Sequence, residues 1–377
     1  MKKKFVYILL SIIISALISL PAIQMFFPFV EVKKLYGVTN KQELPEFVVK
    51  DWINFEYQPK LYQYLLENYG FRPCFIRCYN QFLFSAFGKY NTSVITYGKD
   101  GQLYEPWFID TYYGNDFIGD SLVVEKVKRI KSVQLELEKR NTKLMVVINP
   151  GKASYYPEYI PDHKKSEKKR NNYEAFNQYL AEYNVPYIDF NGLFMSAKDT
   201  TKYPLFPKTG THWSVYGGTM TLDTITRFMQ NLVGRKMTDV SYTNITETTE
   251  FTDQDIDLEN LMNLIFPLDR GTTATIDIVY KNDSTTYKPS VICISDSFYW
   301  ILFGLPKKEE IYSDIKYWYY HNDVYPDMFK KPTYAKELDL YQQIENTDII
   351  MVMACTSTLK DIGWGFFERA YDSLCKQ

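Results

Sequence analysis

The chain has 377 residues, enough for one large domain or two ordinary ones, and 46% of them are apolar, which excludes disorder as the dominant state. Its formal net charge of -2 excludes the basic face that a nucleic-acid binder needs to meet phosphates. Aromatic residues make up 17%, with 33 Tyr and 25 Phe, a composition that suits either stacking on sugar rings or an aromatic-rich core.

The chain opens with Met1-Lys2-Lys3-Lys4, followed by an uncharged run from Phe5 to Val30. That run reaches the roughly 20 apolar residues that span a bilayer. Its length favours an uncleaved signal anchor over a cleavable signal peptide, whose apolar region is about 7–15 residues. Lysines before it and Glu31 after it place the N-terminus in the cytoplasm and the rest outside, as a single-pass protein of the cell membrane. Residues 31–91 read as a juxtamembrane connector with helices between Trp52 and Gly88. Arg72 beside Pro73 is expected to serve as an ion-pair partner.

From Thr92 the pattern changes. Val94–Tyr104 reads as a hairpin around a Gly-Lys-Asp-Gly turn. An amphipathic helix follows over Ser121–Arg140. Leu144–Ile148 is a continuous apolar run, as expected for a strand buried on both faces of a parallel sheet. Further strands are predicted at Val185–Phe190, Val291–Ile294, Ile315–Tyr320 and Asp348–Ala354. Helices are predicted over Lys164–Tyr183, from the His212 segment to Leu232, and over Ala335–Asn346 and Gly365–Cys375. Residues 239–283 are dense in Thr and Asp and read as an insertion or lid, with a short helix at Asp255–Ile265. Strands alternating with helices predict an α/β domain built on a parallel sheet, spanning residues 92–377.

In such sheets, polar residues at the carboxyl ends of strands line the ligand crevice. Asn149, Lys152, His212, Asp296, Ser297 and Thr358 all meet that condition. Ser297 stands at a strand-to-helix turn, where backbone N–H groups can stabilise an oxyanion. A serine needs an adjacent base to act as a nucleophile, and His212 is the best placed of the three histidines. His163 lies in a charged loop, and His321 ends the Tyr317–Tyr320 strand as a supporting group. Cys74 and Cys78 lie four apart on one helix face, and no pair of cysteines shows zinc-ligand spacing with a second pair; no metal or cofactor is expected. Taken singly, a Ser-Asp-Ser turn is most often a helix cap and a His-Trp pair most often packing.

Together and in this order, Val94–Tyr104, Pro150-Gly151-Lys152 with Tyr156-Pro157-Glu158, Thr211-His212-Trp213-Ser214, Asp296-Ser297-Phe298 and Asp348–Leu359 resemble the AlgX/AlgJ-type domain of alginate O-acetyltransferases. The resemblance implies a circularly permuted, three-layer SGNH-hydrolase-like fold. It implies transfer of acetyl groups to exopolysaccharide hydroxyls, beside a membrane-bound O-acyltransferase partner, in the periplasm or outside the cell. It also implies Ser297 as nucleophile and His212 as base, with Thr358 or Asn149 assisting the Ser297 N–H at the oxyanion. Trp213, Trp300 and Trp318 are candidate sugar platforms. The chain departs from the family's pattern at Gly210, where an aspartate is usual, at Ser295 in place of glycine, and at Thr358 in place of asparagine. Asp189, Asp296 or a backbone carbonyl would then have to orient His212. The rival readings are an acetylesterase, and a glycan-binding scaffold without catalysis.

Overall fold

The computed structural model describes residues 2–37, 42–90 and 92–376. The chain folds as two compact units. One comprises the residues up to Ser93 together with Glu259–Pro267, and the other comprises Val94–Leu258 with Leu268 onward.

The first unit is helical. The helix Lys2–Phe26 contains a 23-residue span, Lys4–Phe26, with mean hydropathy 2.5, long and apolar enough to cross a membrane. Three helices follow at Val49–Ile53, Tyr57–Asn68 and Arg72–Phe87. Arg72 pairs with Glu67 at 2.9 Å, the structural role expected of it. Within this unit, Asn80 donates to the Met262 carbonyl, and Gln81 accepts from the N–H groups of Ile265 and Phe266. Cys74 and Cys78 are exposed free thiols.

The second unit contains the strands. A short hairpin pairs β1 (Thr96–Tyr97) with β2 (Leu103–Tyr104). Then come β3 (Lys143–Asn149), β4 (Tyr187–Asp189), β5 (Asp239–Thr248), β6 (Thr273–Lys281), β7 (Ser290–Ser295), β8 (Asp314–Tyr319), β9 (Asp323–Tyr325) and β10 (Ile349–Cys355). The main sheet has the order β4-β3-β10-β7-β8-β9. It is parallel except for β9, which runs antiparallel to β8.

Every residue of β10 is buried, as the continuous apolar run requires of a central strand covered on both faces. Side chains alternate between two cores because successive residues of a strand point to opposite faces. Met145, Val147, Val291, Cys293, Met351 and Met353 face one core with the helices Pro106–Tyr113, Phe190–Ala197 and Val215–Val233. Leu144, Val146, Ile148, Ile292, Ile294, Ile350 and Val352 face the other with Asp120–Glu138, Asn172–Glu182 and Phe366–Leu374. The result is three layers, as expected.

Two predicted helices are shorter than their pattern. Residues 165–171 stay irregular, because clustered like charges at Lys164, Lys165, Lys168, Lys169 and Arg170 oppose a helix, and the helix starts at a capping box between Asn171 and Glu174. The stretch 335–346 divides into a single turn at Ala335–Glu337 and a helix at Leu340–Glu345, capped by Asp339. The segment 239–283 is two strands, β5 and β6, paired as an antiparallel ribbon around a short helix at Asp257–Met262.

Candidate active site

The site forms where β7 and the loop before the Val215–Val233 helix meet. Strand β7 ends at Ser295, and the chain turns through Asp296 and Ser297 into the helix Tyr299–Gly304. Asp296 is buried and brackets this turn. Its carboxylate accepts from the N–H groups of Phe298 and Cys355 and from the Thr358 hydroxyl at 2.7 Å. Burial raises the Asp296 pKa, and these three donors counter it. The turn presents the Ser297 hydroxyl at a partly exposed position.

The opposite loop is held by Lys152 and Ser214. Lys152 is buried, and its ammonium donates to the carbonyls of Pro207, Lys208 and Gly210 at 2.7, 2.7 and 2.8 Å. Ser214 caps the following helix, accepting from Gly217 N–H and donating to the Pro204 carbonyl. Between these anchors His212 projects toward Ser297. Its Nε2 lies 2.7 Å from Ser297 Oγ, across 85 residues of sequence. The flanking residues lock the approach. Trp213 Nε1 donates to the Phe298 carbonyl, and the Phe298 ring packs against both His212 and Trp213.

The acid is Asp257, which none of the expectations included. Asp257 Oδ2 lies 2.6 Å from His212 Nδ1, and Oδ1 accepts the N–H groups of Thr211 and Leu258. This geometry selects the tautomer with the proton on Nδ1, leaving Nε2 free to accept from Ser297. Burial disfavours the imidazolium. The charge and hydrogen bond of Asp257, aided by Glu105 and Asp296, outweigh that and hold the His212 pKa above its ordinary value. Behind them Glu105 accepts from the Thr211 hydroxyl at 2.8 Å, and burial pushes its pKa up to about 7.

Asp257 lies in the Thr- and Asp-rich stretch, where Asp253, Asp255 and Asp257 offered three equivalent acids. The signal that could have found it is the family's missing aspartate at Gly210, which called for an acid from elsewhere. The substitutes considered are engaged otherwise. Asp189 caps its own helix at Gly192 and accepts from Tyr173, and Asp296 serves the turn that carries Ser297.

Several other expectations need correction. The Thr358 hydroxyl lies 2.7 Å from the Asp296 carboxylate and 3.1 Å from the Cys355 carbonyl, so its single proton is committed to these acceptors and Thr358 supports the turn rather than an oxyanion. Asn149 is fully enclosed, in register with Cys355, and its side-chain amide has no partner among the described residues, so a substrate oxygen does not reach it. Trp213 and Trp318 are buried in opposite cores and offer no platform to a sugar, because their rings fill space between helix and sheet. Trp300 is partly exposed, and its ring meets Tyr317, Tyr319 and Tyr325 edge-on. His321 is buried against Trp318 and Phe366 and makes no hydrogen bond to His212 among the described residues, and burial lowers its pKa to about 4. His163 is exposed, as expected.

A three-layer domain on a mostly parallel sheet, with serine, histidine and aspartate brought together at one end, is the architecture of an SGNH-hydrolase-like domain. The family described as "SGNH hydrolase-like domain, acetyltransferase AlgX" matches residues 95–287, just over half of the chain, and the chain belongs to this family. The matched range includes His212 and Asp257 and stops short of Ser297. A probable alginate O-acetylase AlgJ of Pseudomonas syringae pv. tomato is 28% identical over 134 residues, 36% of this chain and 32% of that protein. The AlgJ of Pseudomonas aeruginosa is 30% identical over 123 residues, 33% of this chain and 30% of its own. The match therefore spans about a third of the length of these relatives. Among solved structures, the O-acetyltransferase domain of Pseudomonas putida AlgJ aligns over 74% of this chain and 99% of its own, with 16% identity and a TM-score of 0.48. Pseudomonas aeruginosa AlgX aligns over 72% and 69%, with 12% identity and a TM-score of 0.43.

Proposed function

We propose that this chain is a membrane-anchored, extracytoplasmic O-acetyltransferase that modifies polysaccharide hydroxyls through an acyl-enzyme on Ser297. The observation that carries the reading is the continuous line of hydrogen bonds from Asp257 through His212 to Ser297, at 2.6 and 2.7 Å. Family membership and relatives named alginate O-acetylases supply the substrate class.

The chemistry follows from the geometry. Ser297 Oγ attacks the carbonyl carbon of an acetyl donor while its proton passes to His212 Nε2. Asp257 stabilises the resulting imidazolium through Nδ1–H. The tetrahedral intermediate collapses, the donor's leaving group takes the proton from Nε2, and the acetyl ester on Ser297 remains. A sugar hydroxyl then attacks that ester and gives its proton to His212. Collapse releases the acetylated sugar and returns the proton to Ser297. A membrane-bound acyltransferase that exports acetyl groups would supply the donor. The apolar helix behind Lys2, Lys3 and Lys4 supports an anchored domain outside the cytoplasm.

The scaffold reading rested on the missing acid at Gly210, and a carboxylate at hydrogen-bond distance from His212 removes that ground. The decisive experiment treats the detergent-solubilised chain with an aromatic sulfonyl fluoride and an acetyl ester plus oligosaccharide acceptor. A sulfonyl adduct on Ser297 and loss of acetyl transfer in Ser297→Ala are expected. Transfer that survives Ser297→Ala overturns the proposal, and release of free acetate without acetylated sugar moves it to an esterase.

A further inference from the structure

The acyl-transfer reading requires a donor for the oxyanion, and the side chains expected to help are engaged elsewhere. The Thr358 hydroxyl is committed to Asp296 and the Cys355 carbonyl, and Asn149 is sealed inside the sheet. The corner after β8 provides another candidate. Tyr319 is in register with Ser295, and Tyr320 N–H donates to the Ser295 carbonyl at 2.9 Å. This places Tyr320 beside the turn that carries Ser297.

The backbone there is unusual. Tyr320 and His321 both take left-handed conformations, with φ of 50° and 51°. Bulky non-glycine residues rarely adopt this region, and such strain persists only where the surrounding structure imposes it. The neighbours that impose it are visible. His321 is buried, stacks on Trp318 and bonds through Nδ1 to the Trp364 carbonyl at 3.2 Å. Trp364 is itself left-handed, φ 45°, between Gly363 and Gly365, which are also left-handed. Its ring meets the Tyr320 ring edge-on at 5.1 Å, and the Tyr319 ring packs against Tyr320 at 4.5 Å. Two strained corners therefore clamp one phenol. That phenol has the Ser297 side chain among its electrostatic neighbours, and burial raises its pKa above the ordinary tyrosine value, so it stays protonated.

We propose that Tyr320 is a further catalytic residue of the acyl-transfer reaction, with Trp364 and His321 as its positioning residues. The inference rests on Ser297 being the nucleophile. In the resting site Ser297 Oγ donates to His212, and the Tyr320 corner stands beside the turn that carries Ser297. As the Oγ–carbon bond forms, the carbonyl π pair moves onto oxygen, and the Tyr320 hydroxyl donates to that oxyanion. The phenol keeps its proton throughout and is released when the intermediate collapses. Tyrosine is suited to this because its rigid ring fixes the donor with few rotatable bonds.

The test uses the full chain in detergent with p-nitrophenyl acetate as acetyl donor. Tyr320→Phe keeps the ring and removes the donor. It is expected to lower kcat about 10²-fold with little change in KM or melting temperature. A second preparation carries 3,5-difluorotyrosine at position 320, a phenol that ionises at lower pH. It is expected to fold normally and to show a new loss of rate at alkaline pH. Tyr320→Phe within twofold of the parent rate, or an unchanged pH profile in the difluorotyrosine protein, overturns the inference. If either occurs while Ser297→Ala is inactive, the acyl-enzyme reading stands and only the Tyr320 role falls.

Discussion

Gly210 lies directly against the Asp255 carbonyl, and a Cβ on Gly210 would sit 2.6 Å from that oxygen. This close approach explains how the site keeps an acid although the family's usual position has none. The space beside Gly210 is filled by backbone of the segment that ends in Asp257. Asp255 secures that segment, accepting from Val215 N–H with one oxygen and from Thr252 with the other. Gly210→Asp therefore does not restore the usual arrangement. It is expected to push the 255–257 backbone away, destabilise the fold by about 1–3 kcal/mol, and fail to rescue Asp257→Asn in the double variant. Acetyl-ester turnover and thermal melts of the two single variants and the double variant check this. A double variant more active than Asp257→Asn alone would show that an acid at 210 can reach His212.

Asp257→Asn tests the acid directly. An asparagine can present its amide nitrogen to Nδ1 and select the wrong tautomer, so kcat should fall on the order of 10³–10⁴-fold. The pH profile carries a second signature. His212 must be neutral to accept the Ser297 proton, so the rate falls as pH drops through the His212 pKa. Asp257 charge is a principal cause of that raised pKa. Removing it should move the residual activity's acidic limb to lower pH. A limb that stays in place would mean that another group governs it.

How much of this could be read from the chain depends on burial. Strands β3, β7 and β10 were legible because both faces are covered, and a doubly covered strand must be an unbroken apolar run such as Leu144–Ile148 or Ile349–Ala354. The His212–Ser297 pairing was legible because both lie at carboxyl ends of that sheet region, where its topology collects polar residues. The ribbon of β5 and β6 was not, because its pattern of exposed and half-buried residues leaves Thr and Asp along strands that carry little core. Asp257 was hidden for the same reason. It lies 45 residues from His212, and its neighbours Asp253 and Asp255 have the same local chemistry. The tryptophans failed differently. An indole that fills a core and one that faces a sugar are identical in sequence, and only packing showed Trp213 and Trp318 to be interior.

Glu105 makes stability depend on pH. Its pKa is raised from 4.5 to about 7 by burial, so between those values the folded chain holds a proton that the unfolded chain has released. The folded state binds more protons in that window, and its stability therefore falls as pH rises through it, levelling off above about 7. The cost reaches at most about 3 kcal/mol. Glu105→Gln retains an acceptor for the Thr211 hydroxyl and removes the charge. Denaturation midpoints at pH 5 and pH 8 should differ less in this variant than in the parent chain, and the variant should be the more stable at pH 8. Equal pH dependence in the two proteins would mean that Glu105 is hydrated in solution.

Lys152 concentrates the last prediction. Burial pulls its pKa well below the ordinary lysine value. Yet three carbonyls at 2.7–2.8 Å need three N–H donors, which only the ammonium form supplies. Those carbonyls belong to Pro207, Lys208 and Gly210, the residues leading into His212. Lys152→Met keeps an unbranched stem but leaves the carbonyls without their shared donor in a buried place. Destabilisation of about 3 kcal/mol is expected, because each stranded buried acceptor costs about 1–3 kcal/mol and the loop relaxes in part. The relaxation moves His212 off Ser297, so sulfonylation of Ser297 should slow by at least tenfold at temperatures where the variant remains folded. Circular dichroism with adduct mass spectrometry at those temperatures separates the two effects. Normal labelling in a destabilised variant would mean that Asp257, holding Thr211 N–H and His212 Nδ1 together, is sufficient to keep the imidazole in place.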